Sequence, residues 1–376
     1  MKRYLDERVR SDLAQKMVFL TGPRQVGKTT LSQQLIAQQG GQYLNYDVAA
    51  DRALIVNQRW SPQAPLLVLD EIHKMPNWKA WLKGVYDGKP AAQQLLVTGS
   101  ARLDTFRQSG ESLAGRFFGI RLHPISVREW CDQTGAQPDA ALTHLLERGG
   151  FPEPCLADTA EQAERWRRHY FDGLVRDDVL EFSRIQEVNT IKLFAQLLRS
   201  RVGSPLSLAS LGRDLAVSPA TLKKYLDILE ALFIVFVVRP WHDNIARSVL
   251  QSPKVYFYDT GLVEGDAGIR FENLMATALL KHVQWQYDVQ GKEAALHYIR
   301  TKDGAEVDFA LSEKKQLTQL VECKLADDKP HRALSRFALQ HPKADASQVV
   351  RNLRHSYPLG ELKMCRADEF LNGLLA

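Results

Sequence analysis

The sequence predicts an α/β protein in three parts: a parallel-sheet domain over residues 1–150, a helical middle over 151–250 and a second α/β domain over 251–376. Three observations predict it. Unbroken apolar runs such as "MVFLT" and "PLLVLD" alternate with amphipathic stretches, as strands buried on both faces do. In "PLSLASLGRDLAVSPATLKKYLDILEALFIVFVVRPW", two helical periods meet at a short turn and end in a β-rich run. In "HYIRTKDGAEVDFALSEKKQLTQLVECKLAD", strand-like runs are punctuated by turn residues.

At 376 residues the chain is too long for one ordinary core, which supports a multidomain reading. It is 45% hydrophobic and 25% charged, with no apolar run near the ~20 residues of a membrane span. The opening "MKRYLDERVR" lacks an apolar signal region, so a cytoplasmic location is expected. Cys131, Cys155, Cys323 and Cys365 have no paired spacing, which disfavours both a zinc site and a disulfide framework. The formal charge of +5 is compatible with nucleic acid without establishing it.

The first element to justify is "MVFLTGPRQVGKTTLSQQLIAQQ", an apolar strand, a glycine loop and a helix. Gly22, Pro23, Arg24, Gln25, Val26, Gly27, Lys28 and Thr29 fit G-x-x-x-x-G-K-[ST], with Thr30 following. Gly22 and Gly27 let backbone N–H groups turn inward around an anion, and the helix N-terminus adds positive potential. Lys28 is expected on the β- and γ-phosphates of ATP, and the Thr29 hydroxyl on Mg²⁺. The next strand ends in Asp70-Glu71. Asp70 is expected to hold Mg²⁺, and Glu71 to act as general base toward the attacking water. A further strand ends in Thr98-Gly99-Ser100, where Ser100, with Thr98 next, is expected to touch the γ-phosphate or orient water.

With these motifs and "ESLAGRFFGIRLHPISVREW", the N-terminal part resembles a P-loop AAA+ ATPase. The resemblance implies that Arg116, in an arginine-Phe-Gly stretch similar to that of Holliday-junction branch-migration motors, reaches a neighbouring subunit's nucleotide. A planar, permanently charged guanidinium suits that task. It implies a homo-oligomer; a surface or structurally ion-paired arginine is the alternative. No second-sensor arginine in a four-helix lid is evident.

In the middle, Ser207 is an N-cap candidate, and Ser218-Pro219 reads as an N-cap followed by proline at the first helical position. Helix, turn, helix and hairpin is the order of a winged helix. Arg213, Thr221, Lys223, Lys224 and Tyr225 are expected to be available to a phosphate backbone. From 192 to 254 there are nine Lys or Arg against four Asp or Glu, which favours DNA as partner, with a protein-binding or interdomain role as the alternative.

In the C-terminal part, turns at Asp303-Gly304 and near Glu313–Lys315 separate three strands. Asp308, followed fourteen residues later by Glu322-Cys323-Lys324, resembles the D…(D/E)-x-K pattern of restriction-endonuclease-like PD-(D/E)xK nucleases, with Glu272 supplying a helix carboxylate. Side chains two apart share a strand face, so Glu322 and Lys324 project together. Asp308, Glu322 and Glu272 are expected to hold Mg²⁺ or Mn²⁺, with Lys324 orienting the nucleophile. A buried ion pair or a non-cutting nucleic-acid clamp is the alternative.

Over nearly its whole length, through "TGPRQVGKTT", "LLVTGSARLD", "YFYDTGL", "GAEVDFAL" and "VECKLAD", the chain resembles prokaryotic AAA+-like ATP-binding proteins that carry a C-terminal nuclease-like domain. The expectation is an oligomeric DNA-processing ATPase of repair, recombination or mobile-element defence, with metal-dependent cutting as an added activity. A junction branch-migration motor or clamp, and a regulatory ATPase switch acting on proteins, are the alternatives.

Overall fold

Apolar runs without alternation become fully buried strands. Met17–Thr21 (β1), Gln42–Asn45 (β2), Leu66–Asp70 (β3), Gln94–Thr98 (β4) and Phe117–Arg121 (β5) form one sheet in the order β2-β3-β4-β1-β5, every neighbour parallel. All residues of β1 and β3 are buried. Phe19, Leu67, Leu69 and Val97 pack with Trp78 and Leu82 of the helix Trp78–Gly88. The register sets Asp70 beside Thr98, and Thr98 beside Leu20, so β1, β3 and β4 end at the same edge. Chemistry placed at these three strand ends is therefore brought together by topology alone.

The computed structural model describes residues 1–99, 113–174, 185–242, 252–301, 303–326 and 329–375. The chain packs as two compact units: Met1–His123 with Ala231–Phe233, and Pro124–Glu230 with Ile234–Ala376. The division at 150 and 250 is thus a proposal about sequence modules rather than a description of packing.

In the second unit, the helices Leu208–Asp214 and Pro219–Ala231 form as their caps predict. The Ser207 hydroxyl accepts the Ser210 N–H at 3.3 Å, and the Ser218 hydroxyl accepts the Thr221 N–H at 3.1 Å. Ala216 makes the tight turn between them in the left-handed region, at φ 53°. Tyr225 corrects one expectation. It is 5% exposed and lies with Leu222, Leu226 and Leu229 on the buried face, because the helical period that buries the leucines also carries position 225 inward.

The strands Val235–Pro240 (β6), Lys254–Phe257 (β7), Ala294–Arg300 (β8), Glu306–Glu313 (β9), Gln316–Lys324 (β10), Asp345–Val350 (β11), Tyr357–Leu359 (β12) and Leu362–Arg366 (β13) form a second sheet. Its order is β12-β13-β11-β10-β9-β8-β6-β7. β8, β9 and β10 are an antiparallel meander, as the turn residues predicted. β11 returns parallel to β10 through the helix Arg332–Gln340. The hairpin β6–β7 does not stand apart: β6 pairs in parallel with β8 through Arg239–His297 and Pro240–Tyr298. The helix Ala267–Gln290 is started by the Asp266 side chain, which accepts the Ile269 N–H, and is ended by Gly291 at φ 68°. All four cysteines are unbridged, and no helix among the described residues is long and apolar enough to cross a membrane.

Candidate active site

The glycine loop joins β1 to the helix Lys28–Gln39. Gly22 has φ 144°, and a Cβ there would lie 2.3 Å from the Leu122 carbonyl oxygen, so only glycine fits. Gln25 at φ 59° and Gly27 at φ 103° complete the inward turn. The side chain of Arg3 donates to the Val26 carbonyl at 2.7 Å and to the His123 carbonyl, pinning the loop from behind. Lys28 is 8% exposed and folds across the loop, its ammonium donating to the carbonyls of Gly22 at 2.9 Å and Pro23 at 2.7 Å. Burial pushes Lys28 down to about 8, against the charges of Glu71 and Asp70, which favour its protonated form. Thr29 and Thr30 are exposed in the first helical turn.

Asp70 is 6% exposed at the end of β3. One of its oxygens accepts the Thr98 hydroxyl at 2.6 Å and the Glu71 N–H at 3.1 Å. Glu71 sits in the left-handed region at φ 55°, with its N–H on the Thr98 carbonyl at 3.0 Å. A non-glycine residue held there costs on the order of 1–3 kcal/mol, and such strain concentrates at working sites. Its carboxyl lies 3.4 Å from the His73 ring. Burial, then the charge of Asp70, pushes Glu71 up to about 7. Lys28, Asp70, Glu71 and Thr98 therefore meet at one sheet edge. Ser100 lies outside the described residues.

Tyr43 is a member that the sequence reading missed. From β2, its hydroxyl donates to the second oxygen of Asp70, one of the two residues expected on Mg²⁺. No local signal marked it: the parallel pairing of β2 with β3 sets Tyr43 beside Val68, near the end that carries Asp70.

Arg116 has a partner in its own chain. Its guanidinium grips Asp87 with both arms, at 2.8 and 3.0 Å. This is the structural ion pair of the alternative reading.

In the second unit, Glu272, Asp308, Glu322 and Lys324 converge, each from the predicted element. Lys324 donates to Glu322 at 2.6 Å, and the His331 ring lies 3.2 Å from the same carboxylate. The other Glu322 oxygen accepts the Asp308 N–H at 3.2 Å, and Asp308 accepts the Cys323 N–H at 2.9 Å. Tyr256 donates to Glu272 at 2.7 Å. Burial, then the charge of Asp308, pushes both Glu272 and Glu322 up to about 7. Among the described residues no group of three or more His, Cys, Asp or Glu side chains is spaced to hold a metal ion. A buried lysine, Lys254, stands among these carboxylates. Its buried ammonium lies 2.7 Å from Glu306, 3.4 Å from Glu272 and 3.8 Å from Asp308. Neither Lys254 nor Glu306 was singled out in the sequence; a lysine opening an otherwise apolar strand, "KVYF", was the signal.

A family model described as an AAA domain matches residues 14–131. Two described as domains of unknown function match residues 139–271 and 267–370. The uncharacterized protein Rv2008c of Mycobacterium tuberculosis is 30% identical over 303 residues, covering 78% of this chain and 67% of the relative. An uncharacterized Haemophilus influenzae protein is 22% identical over 315 residues, covering 74% of this chain and 78% of the relative. Among solved structures, a RuvB variant from Thermotoga maritima aligns with TM-score 0.33 and 18% identity over 62% of this chain and 88% of that one. A signal-transduction ATPase of the STAND class from Pyrococcus horikoshii aligns with TM-score 0.23 and 11% identity over 77% and 48%. At these TM-scores neither structural likeness bears on function.

Proposed function

Since the chain belongs to the family of Mycobacterium tuberculosis Rv2008c and carries an AAA domain, we propose that it binds Mg²⁺·ATP at Gly22–Thr29 and hydrolyses it in work on DNA. One observation carries the nucleotide reading: Lys28, Asp70, Glu71 and Thr98 share one end of a parallel sheet around a loop that only glycine at position 22 permits. The Thr29 hydroxyl and the Asp70 carboxylate are hard oxygen donors, a donor set that fits Mg²⁺. When bound, the ion would neutralise charge on the β- and γ-phosphates.

The chain's own groups supply the rest. Lys28 exchanges two loop carbonyls for phosphate oxygens, and Arg3 keeps the loop in place through the Val26 carbonyl. Glu71, with a carboxyl that titrates near neutrality, takes a proton from the attacking water. Thr98 holds Asp70 in orientation.

The DNA part of the reading is supported by the helix-turn-helix, where Arg213, Lys223 and Lys224 are exposed, and by its winged-helix order of elements. Assembly is part of the same proposal: Arg116 leaves Asp87 to reach the nucleotide of a neighbouring copy. The compartment proposed is the cytoplasm, in keeping with four unbridged cysteines. The deciding experiment is ATP hydrolysis with and without duplex, forked and four-way-junction DNA. Stimulation of the rate is expected. A rate indifferent to every DNA, but raised by a protein partner, replaces this reading with a regulatory switch.

A further inference from the structure

The D…E-x-K pattern in the second unit asks for a divalent cation, and the structure surrounds a lysine instead. Lys254 opens β7, and its side chain is 1% exposed. Its ammonium has Glu306 at 2.7 Å, Glu272 at 3.4 Å and Asp308 at 3.8 Å, with the Tyr298 ring face 5.4 Å away. A buried ammonium is strongly disfavoured unless paired, and three carboxylates from a helix and a strand pair it.

Other donors serve the same carboxylates. Tyr256 serves Glu272, the Cys323 N–H serves Asp308, and Arg300 serves Glu306 at 2.9 Å. Glu322 accepts Lys324 and the Asp308 N–H. Glu272 is confined from its far side as well: a Cβ on Gly203 would lie 2.7 Å from its oxygen. A Mg²⁺ or Mn²⁺ ion needs those oxygens as direct ligands at close range, and at that distance it would face a fixed positive charge.

We infer that the ammonium of Lys254 is the resident cation of this carboxylate centre, standing in place of a divalent metal, so that the centre holds its fold without metal and does not cut phosphodiesters. The inference rests on the nuclease-like reading of Asp308, Glu322 and Lys324, and it turns that reading from scission to support.

The test uses full-length Asp70→Asn protein without nucleotide, so that the phosphate loop contributes no metal site, and Mn²⁺ followed by electron paramagnetic resonance. With Lys254 intact, no Mn²⁺ site that depends on Asp308 is expected. Adding Lys254→Ala should create one of about one Mn²⁺ per chain, and adding Asp308→Asn to that should remove it. A stoichiometric Mn²⁺ site in the Lys254-bearing protein that disappears with Asp308→Asn overturns the inference. So does a folded Lys254→Ala protein, judged by circular dichroism, that gains no Mn²⁺ binding. If Lys254→Ala does not fold, the Lys254-bearing pair, with and without Asp308→Asn, decides the matter alone. DNA-stimulated ATP hydrolysis is read separately, so failure here leaves the proposed ATPase role standing, and failure there leaves this inference standing.

Discussion

Gly22 is the residue on which the nucleotide site turns, because a single added carbon would strike the Leu122 carbonyl at 2.3 Å. Neither backbone can yield cheaply, so Gly22→Ala should cost on the order of 1–3 kcal/mol. Nucleotide affinity should fall at least tenfold, as measured by fluorescent-ATP titration. Glu71→Gln should leave that titration intact and slow turnover by roughly 10²–10⁴-fold, the usual range for a lost general base. A parental rate in Glu71→Gln would remove Glu71 from that role. Tyr43 gives a finer test. Its hydroxyl ties up one Asp70 oxygen. Tyr43→Phe frees that oxygen, so the Mg²⁺ concentration for half-maximal hydrolysis should drop several-fold at nearly constant maximal rate. A raised requirement would show instead that the hydroxyl helps to hold the ion, and an unchanged one that it plays no part in binding it. The motif residues were legible because each must be a particular type in a particular place. Tyr43 was not, since its role arises from the lateral neighbour of β2, which no local spacing encodes.

The helix Pro219–Ala231 shows how far local grammar reaches. Its cap, its proline and its turn were legible because they are interactions across three or four residues. The inward leucines followed from periodicity, and the same periodicity overrules the expected exposure of Tyr225. What remains on the outer face is Lys223, Lys224 and, on the preceding helix, Arg213. Lys223 is tied to Asp227 one turn away. DNA must compete with that exposed pair, a weak competitor in water. Lys223→Ala with Lys224→Ala should flatten the log–log salt dependence of DNA binding by up to about 0.9 for each duplex phosphate that is no longer neutralised. Asp227→Asn should instead tighten binding. If neither change moves affinity or slope, the helix serves an interdomain contact. The C-terminal meander was legible for the same local reason: its turns connect sequence neighbours. The parallel pairing of β6 with β8 joins segments more than fifty residues apart, and strand composition carries no record of it.

For the molecule as a whole, the expected assembly can be examined by mixing. Arg116→Ala retains a complete phosphate loop, and Lys28→Ala retains Arg116. If Arg116 leaves Asp87 for a neighbour, titrating the Lys28→Ala protein into Arg116→Ala protein should restore hydrolysis in a concentration-dependent way. A monomer fully active at all concentrations would assign the Asp87 fork a purely architectural role. The second sheet has a consequence of another kind. Sequence families divide this chain between residues 267 and 271, yet eight strands continue across that division, with β6 and β7 on one side and β8 to β13 on the other. A segment cut near 267 would strip β8 of its neighbour and remove Lys254's strand from the carboxylates it neutralises. Amide hydrogens of β6 and β8 should therefore exchange in a single opening event, and the two stretches should melt together. On that outcome, what family boundaries separate into two pieces melts as one thermodynamic body, and neither piece can be transplanted without the other.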